Sequence, residues 1–282
     1  MSNNIFFERG QMADKPNNYL LNGDCFELMK DIPSKSIDMI LTDPPYWHKK
    51  SPGKPYSQRK QCNTDSKFSN SRLYNNNNKM MKDMSDFTDV EVNLLMNELE
   101  RVCKPLNAYL FCNETLLPYY AMWAEKDRHH FSVLVWEKPL SIINKNRFSQ
   151  NIEFIVRIYD YGTGLNRIDK NEAYNRVKKA KPITGKAKLH PTQKPNEIIR
   201  DILNLSNRGG FVLDPFAGSN TTGVECFNLD IPYIGIEKDI DIYEVAKERM
   251  EKNILLRANE RKTLFYNQLI FNQNENSSKS RS

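Results

Sequence analysis

The segment Phe211-Val212-Leu213-Asp214-Pro215-Phe216-Ala217-Gly218-Ser219-Asn220-Thr221-Thr222-Gly223 passes from an apolar run through a glycine-bearing turn into a helical pattern. Phe211 to Leu213 reads as a buried strand and Thr221 to Leu229 as a helix. A turn of this kind, from the carboxyl end of a strand into a helix N-terminus, is where open α/β sheets bind nucleotide-like ligands. Gly218 lets the backbone approach a ligand, and the helix N-terminus favours a carboxylate. Nineteen residues beyond Gly218, Glu237 ends the strand Tyr233 to Ile236, in position to accept both hydroxyls of a ribose. On these residues alone, a plain strand-turn-helix connection with a solvated Glu237 reads the same way. Two rival ligands are disfavoured: no Gly-Lys-Ser/Thr follows for a triphosphate, and the Gly-x-Asn-x-x-Gly spacing does not match a dinucleotide fingerprint.

The same alternation extends in both directions. Strands are expected at 19–21, 36–42, 109–112, 131–136 and 152–159, with helices at 25–31, 86–104, 115–127, 196–207 and 240–255. The helix over 86–104 shows the spacing most clearly, with Val92, Leu95, Leu99 and Val102 on one stripe and Pro105 beyond its end. Strands alternating with helices predict an α/β, Rossmann-like, doubly wound and mostly parallel sheet covered on both faces. A single catalytic domain is expected over 19–137 and 189–257. Around it lie an N-terminal arm (1–18), a mobile basic loop (47–85), a basic segment (138–188) and a C-terminal tail (258–282) whose last part is too polar to order itself.

The strand over 36–42 ends in Thr42-Asp43-Pro44-Pro45-Tyr46-Trp47. Each Pro fixes its φ and removes a donor, and each residue before a Pro is pushed to extended geometry, so Asp43 to Pro45 form a stiff, acceptor-rich rod. The exocyclic amino group of adenine or cytosine is a poor nucleophile because its lone pair is delocalised into the ring. Two acceptors around its hydrogens oppose that delocalisation and raise its reactivity toward an electrophile in line with it. Tyr46 offers a flat face for a base swung out of a duplex. A proline-rich turn beside an aromatic residue is the competing reading of these few residues.

Charge is informative by location. The chain carries +6 overall, yet residues 47–82 hold nine Lys/Arg against one acid and residues 138–188 twelve against four, +8 in each block and −10 in the remainder. Two basic blocks on an acidic body are the footprint of a nucleic-acid surface carried by a scaffold. The five cysteines lack metal-ligand spacing and read as reduced and structural, and no metal site is expected. With no apolar run of membrane-spanning length and no basic-then-apolar leader, a cytoplasmic protein without membrane contact is expected.

Taken together, Asp43-Pro44-Pro45-Tyr46, His190-Pro191-Thr192-Gln193-Lys194-Pro195, Asp214-Pro215-Phe216-Ala217-Gly218-Ser219 and Tyr233-Ile234-Gly235-Ile236-Glu237 resemble the β-class DNA amino-methyltransferases of restriction-modification type. The resemblance covers roughly residues 19–255. It implies a circularly permuted motif order, the catalytic half preceding the S-adenosylmethionine-binding half. It implies that Asp43, Pro44, Pro45 and Tyr46 are catalytic, with Asp43 and Pro44 polarising the target amino group and Tyr46 stacking on the flipped base. It further implies that Asp214, Phe216, Ala217, Gly218, Ser219, Asn220 and Thr221 shape the methionine end of the cofactor pocket, that Glu237 holds the ribose, that Asp24 reaches the adenine and that Lys194 stands on the cofactor side. Asp24 reads equally as a helix N-cap, and Lys194 as a residue preceding a helix. The family's usual Gly is Asn220 here, a residue that tolerates a left-handed backbone. The implied substrate is double-stranded DNA, with 138–188 as the target-recognition region. A cognate restriction endonuclease and a second copy of the chain are further candidate partners. Asp at the head of the first motif favours adenine over cytosine-N4; a silent DNA-binding module and an RNA methyltransferase are the alternatives.

Overall fold

The computed structural model describes residues 18–46, 89–139, 148–149, 151–168, 171–183, 193–207 and 209–279. The arm before residue 18, the loop expected over 47–85 and the residues His190, Pro191 and Thr192 lie outside them. Among the described residues eight strands form one sheet: β1 (Asn18–Asn22), β2 (Met39–Thr42), β3 (Asn107–Cys112), β4 (His130–Glu137), β5 (Ile152–Tyr159), β6 (Val177–Lys179), β7 (Val212–Asp214) and β8 (Tyr233–Glu237). Their spatial order is β1-β8-β7-β2-β3-β5-β4-β6. Every pairing is parallel except the two made by β5, so this one strand runs against the others. The helices are α1 (Cys25–Leu28), α2 (Asp89–Val102), α3 (Leu117–Lys126), α4 (Asn196–Ser206), α5 (Thr221–Asn228) and α6 (Ile240–Lys279).

The period of two along each strand sorts the core into two layers. Ile40, Ala108, Leu110, Cys112, Leu213, Ile234 and Ile236 face one side, packed with Val92, Leu95, Leu99 and Val102 of α2 and Tyr120 and Trp123 of α3. Met39, Leu41, Tyr109, Phe111, Val212 and Tyr233 face the other, under Ile198, Ile199, Ile202 and Leu203 of α4 and Cys226 of α5. Because both faces are covered, the central strands read as unbroken apolar runs. The Rossmann-like, doubly wound architecture is therefore present, with β2 preceding β7 in the chain.

From β2 the chain builds outward to β3, while β7 and β8 build the opposite way, which puts the switch point of the sheet between β2 and β7. Met39 lies opposite Val212 and Ile40 opposite Leu213. That register brings the ends of both strands to one level. At the same edge Asn22 lies opposite Glu237. The reversed strand β5 starts there, with Ile152 opposite Glu137 and Phe154 opposite Cys112.

Three features differ from the sequence expectation. The helix over 25–31 resolves into α1 and a 3-10 turn, Met29–Asp31. Strand β6 was not expected, since Val177-Lys178-Lys179 is too short and polar to show alternation. It is held by Val135 N–H donating to Arg176 O at 2.8 Å, and Lys178 is buried with its ammonium donating to Ala173 O at 2.6 Å. Helix α6, expected to about residue 255, runs to Lys279 into the segment read as a tail, through residues with few helix breakers. The basic segment 138–188 also supplies an interior strand, since β5 lies between β3 and β4. Among the described residues no helix is long and apolar enough to cross a membrane.

Among the described residues β1 pairs with β8 alone, and β2 takes β7 as one of its two neighbours. A chain ending at residue 185 strips both, and is expected to show no cooperative unfolding transition by circular dichroism. A sharp two-state melt would contradict the single-sheet architecture.

Candidate active site at the carboxyl edge of the sheet

A cavity of about 560 Å³ opens where β1, β2, β7 and β8 end. It is lined at one end by Asp24, Phe26, the loop Asp214 to Ser219, Thr221, Thr222 and Glu237, and at the other by Asp43, Pro44, Pro45, Tyr46 and Lys194. Its walls carry six carboxylates (Asp24, Asp43, Asp214, Glu237, Asp239, Asp241) against two lysines, Lys194 and Lys238. Such a cavity suits a ligand with positive charge.

At the first end, Asp214 closes β7 with only 4% of its surface exposed. Its Oδ1 accepts from Thr42 Oγ1 at 2.7 Å and from Phe216 N–H at 3.1 Å. Burial pushes its carboxyl up to about 7, against the lowering effect of these donors. The turn that follows depends on two left-handed residues, Gly218 (φ 52°) and Asn220 (φ 60°, ψ 41°). Asn220 thus takes the backbone expected of it. Its side chain, however, is absent from the cavity lining and is fully buried beside Gly223, where an added Cβ would come within 2.2 Å of Asn220 Oδ1. Arg249 of α6 braces the turn from behind, donating to Ser219 O at 2.8 Å and Thr221 Oγ1 at 2.9 Å. The sequence reading missed Arg249; its place one turn after buried Ala246 was the available signal.

Glu237 is fixed by two backbone donors, Gly218 N–H to Oε2 and Asp239 N–H to Oε1, each at 2.9 Å. Burial raises its carboxyl above the ordinary range despite those bonds and the Lys238 amide. Asp24 caps α1 by accepting from Phe26 N–H at 2.9 Å, and pairs with Lys238 Nζ at 2.9 Å. Its modest burial acts upward, but Lys238 and the Phe26 amide outweigh it and leave the carboxyl below its usual range. The residue is both the cap and part of the cavity wall.

At the second end, Lys194 is nearly buried and its ammonium lies 2.7 Å from Asp43 Oδ2, 3.2 Å from Tyr46 OH and 3.2 Å from Glu153 Oε2. Glu153 Oε1 accepts from Lys138 Nζ at 2.5 Å. Lys194 lines the same cavity as the cofactor-side residues, but these bonds set it on the Asp43 rod. Asp43 Oδ1 is buried with no hydrogen-bond partner. Burial raises the Asp43 carboxyl, Lys194 acting against it and Glu153 with it. The Tyr46 phenol is raised well above its usual range by burial and then by Asp43. The sequence reading gave no role to Glu153 or Lys138, whose approach to Asp43 depends on the reversal of β5. The site thus sets an unpartnered carboxylate oxygen beside a cavity that favours a cation.

Residues 37–248 match the N6_N4_Mtase family model, described as DNA methylase. The chain is 26% identical over 268 residues to the Type II methyltransferase M2.LlaDCHI of Lactococcus lactis subsp. cremoris, covering 85% of this chain and 91% of that one. It is 25% identical over 249 residues to the DNA adenine methyltransferase YhdJ of Escherichia coli (strain K12), covering 82% of each. The crystal structure of an M1.HpyAVI–SAM complex has the same fold, with a TM-score of 0.57 at 24% identity over 82% of this chain and 98% of that one.

The burial of Asp214 has a consequence for stability. Between about pH 4 and pH 7 the native protein keeps a proton on Asp214 that the unfolded chain has released, so the native state binds more protons and loses stability as pH rises through that window. Asp214→Asn removes this contribution. Its stability relative to the unsubstituted protein, measured by urea denaturation without ligand, is expected to rise from pH 4 to pH 7 and level off above. A difference that does not vary with pH would contradict it.

Proposed function

The chain belongs to the DNA methylase family, S-adenosylmethionine-dependent enzymes that methylate exocyclic amino groups, and we propose that its target is N6 of adenine in double-stranded DNA. The observation that carries this reading is the free Asp43 Oδ1, held on the proline rod next to the cation-favouring cavity. Asp at the head of that motif and the adenine named for the Escherichia coli relative support adenine over cytosine-N4.

The residues present fit the cofactor. Glu237 offers its two fixed carboxylate oxygens to the ribose hydroxyls. Phe26, Phe216, Ile236 and Ile242 give apolar walls for a purine. The first amides of α5 suit a carboxylate, and Asp214 stands ready for an ammonium. When bound, S-adenosylmethionine supplies an electrophilic methyl group on a sulfonium. On the acceptor side, Asp43 Oδ1 and the Pro44 carbonyl accept the two amino hydrogens and return lone-pair density to nitrogen. Asp43 is also the nearest base for the proton that nitrogen sheds after transfer. The Tyr46 ring gives the flipped base a stacking face.

DNA approaches the same edge. The chain leaves Tyr46 into the basic block 47–82, leaves β4 at Lys138, and returns from β6 through Lys179, Lys181, Lys186 and Lys188 to Lys194. These segments grip phosphates, and 138–188 supplies the base-reading residues. The Type II naming of the Lactococcus relative supports a companion restriction endonuclease as a further partner.

Asp43→Ala is expected to reduce methyl transfer at least ~1000-fold, on the order of the loss of a principal electrostatic group, with cofactor affinity within about threefold. Nucleoside mass spectrometry of DNA treated with the unsubstituted protein should yield N6-methyladenine. Retained turnover would remove Asp43 from the chemistry, and N4-methylcytosine would overturn the choice of base. Glu237→Ala is expected to weaken S-adenosylmethionine binding by about tenfold or more in calorimetry, the cost of hydrogen bonds to a charged acceptor. An unchanged dissociation constant would refute its ribose role.

A further inference from the structure

We propose that Lys194 and Glu153 are positioning residues for the methyl-acceptor half of the site. Lys194 divides the Asp43 carboxylate into an oxygen held by the protein and an oxygen left for the target amino group, and Glu153 keeps Lys194 in place. The proposal rests on the reading that Asp43 accepts from that amino group.

An ammonium has three donors. Lys194 donates to Tyr46 OH and stands within ion-pair distance of two carboxylates on different segments, Asp43 Oδ2 on the rod after β2 and Glu153 Oε2 on β5. One cation therefore fixes both the carboxylate and the ring, and leaves Asp43 Oδ1, buried at the cavity wall without a hydrogen-bond partner, to accept from the target amino group. Its surroundings are otherwise apolar and aromatic, with the Phe111 and Tyr46 rings centred 5.0 and 5.3 Å away. A buried ammonium there is tolerated only when fully paired.

Paired with Asp43 alone, Lys194 would cancel the charge that a methylated nitrogen, turning positive, needs beside it. Glu153 supplies a second carboxylate, so the lysine charge is shared, and Lys138 satisfies the remaining Glu153 oxygen at 2.5 Å. The result is a row of alternating sign, Lys138–Glu153–Lys194–Asp43. Among the described residues only β5 runs antiparallel to its neighbours, and its reversal starts it at the catalytic edge with Glu153 as its second residue.

The electrostatics distinguish positioning from simple bracing. The titratable and charged groups acting on Asp43 are Lys194, Glu153 and Tyr46, with Cys112 at the end of β3 and Asp214 across the switch point. Glu153 holds the Asp43 carboxyl up and Lys194 holds it down. Asp43 must be ionised to serve both as donor-free acceptor and as base, so the acid limb of the rate follows it.

The experiment measures single-turnover methyl transfer against pH for Glu153→Gln, Lys194→Gln and Glu153→Asp, on DNA that the unsubstituted protein methylates, with S-adenosylmethionine affinity as the control for folding. Both glutamine variants should lose about 10- to 100-fold in rate at saturating cofactor, the cost of a small misplacement of reacting groups. The acid limb should move to lower pH in Glu153→Gln and to higher pH in Lys194→Gln. Glu153→Asp, which keeps the charge and shortens the reach, should lose rate with the limb in place, and it carries the test if Glu153→Gln does not fold. Rates within about threefold of the unsubstituted protein, or limbs that stay put or move the same way in both glutamine variants, would overturn the proposal. Asp43→Ala separates the two levels: if it still transfers methyl groups, the underlying reading of Asp43 fails; if it is inactive while the Lys194 and Glu153 variants behave as the unsubstituted protein, only the positioning role fails.

Discussion

A buried hydrogen bond from Thr42 Oγ1 to Asp214 Oδ1 at 2.7 Å joins the two halves of the molecule at the switch point of the sheet. It links strands whose ends are 172 residues apart in the chain and lies at the point where the sheet reverses its order of construction. On one side of it the chain enters the Asp43 rod, on the other the glycine turn. The spacing between the Asp43 rod and the glycine turn is therefore set by the register of β2 against β7 and by this bond. Loops alone would not give that constancy, because groups set on strands are held more precisely than groups on loops.

The site stores electrostatic tension that its ligands relieve. Asp214 and Glu237 are pushed up by burial, and Asp43 as well, each held by a few donors that do not fully compensate. A cation entering between them offsets that cost. The two signs of charge are thus separated along the chain, acidic in the residues that line the cavity and basic in the blocks 47–82 and 138–188. The proline rod stands at the boundary between these two fields.

Much of this was legible in the sequence. Apolar runs located the strands of both halves, because a strand covered on two faces is built mostly of apolar residues. Gly218, Asn220 and Glu237 announced the turn and its acidic partner because backbone conformation and strand ends leave local marks. What escaped reading was set by contacts distant in the chain. Glu153 looks like an ordinary charged residue opening a strand, and only the reversal of β5 turns it toward Asp43. The ammonium of Lys194 could have served either end of the cavity, and its bonds to Asp43 and Tyr46 span almost 150 residues. Strand β6, three residues long, exists because β4 offers it an edge, and Asn220 keeps the loop shape while turning its side chain into the core.

The central claim is that one edge of the sheet aligns a methyl donor above Asp214 and Glu237 with an amino group on Asp43. It is tested most directly by the crystal structure of the protein with S-adenosylhomocysteine and a DNA duplex carrying its own methylation site. The account predicts an adenine swung out of the duplex, its amino nitrogen within hydrogen-bond distance of Asp43 Oδ1 and the Pro44 carbonyl, its ring against Tyr46, and the ribose hydroxyls of the cofactor product on Glu237. A target base left stacked in the duplex, or an amino group directed away from Asp43, would contradict it.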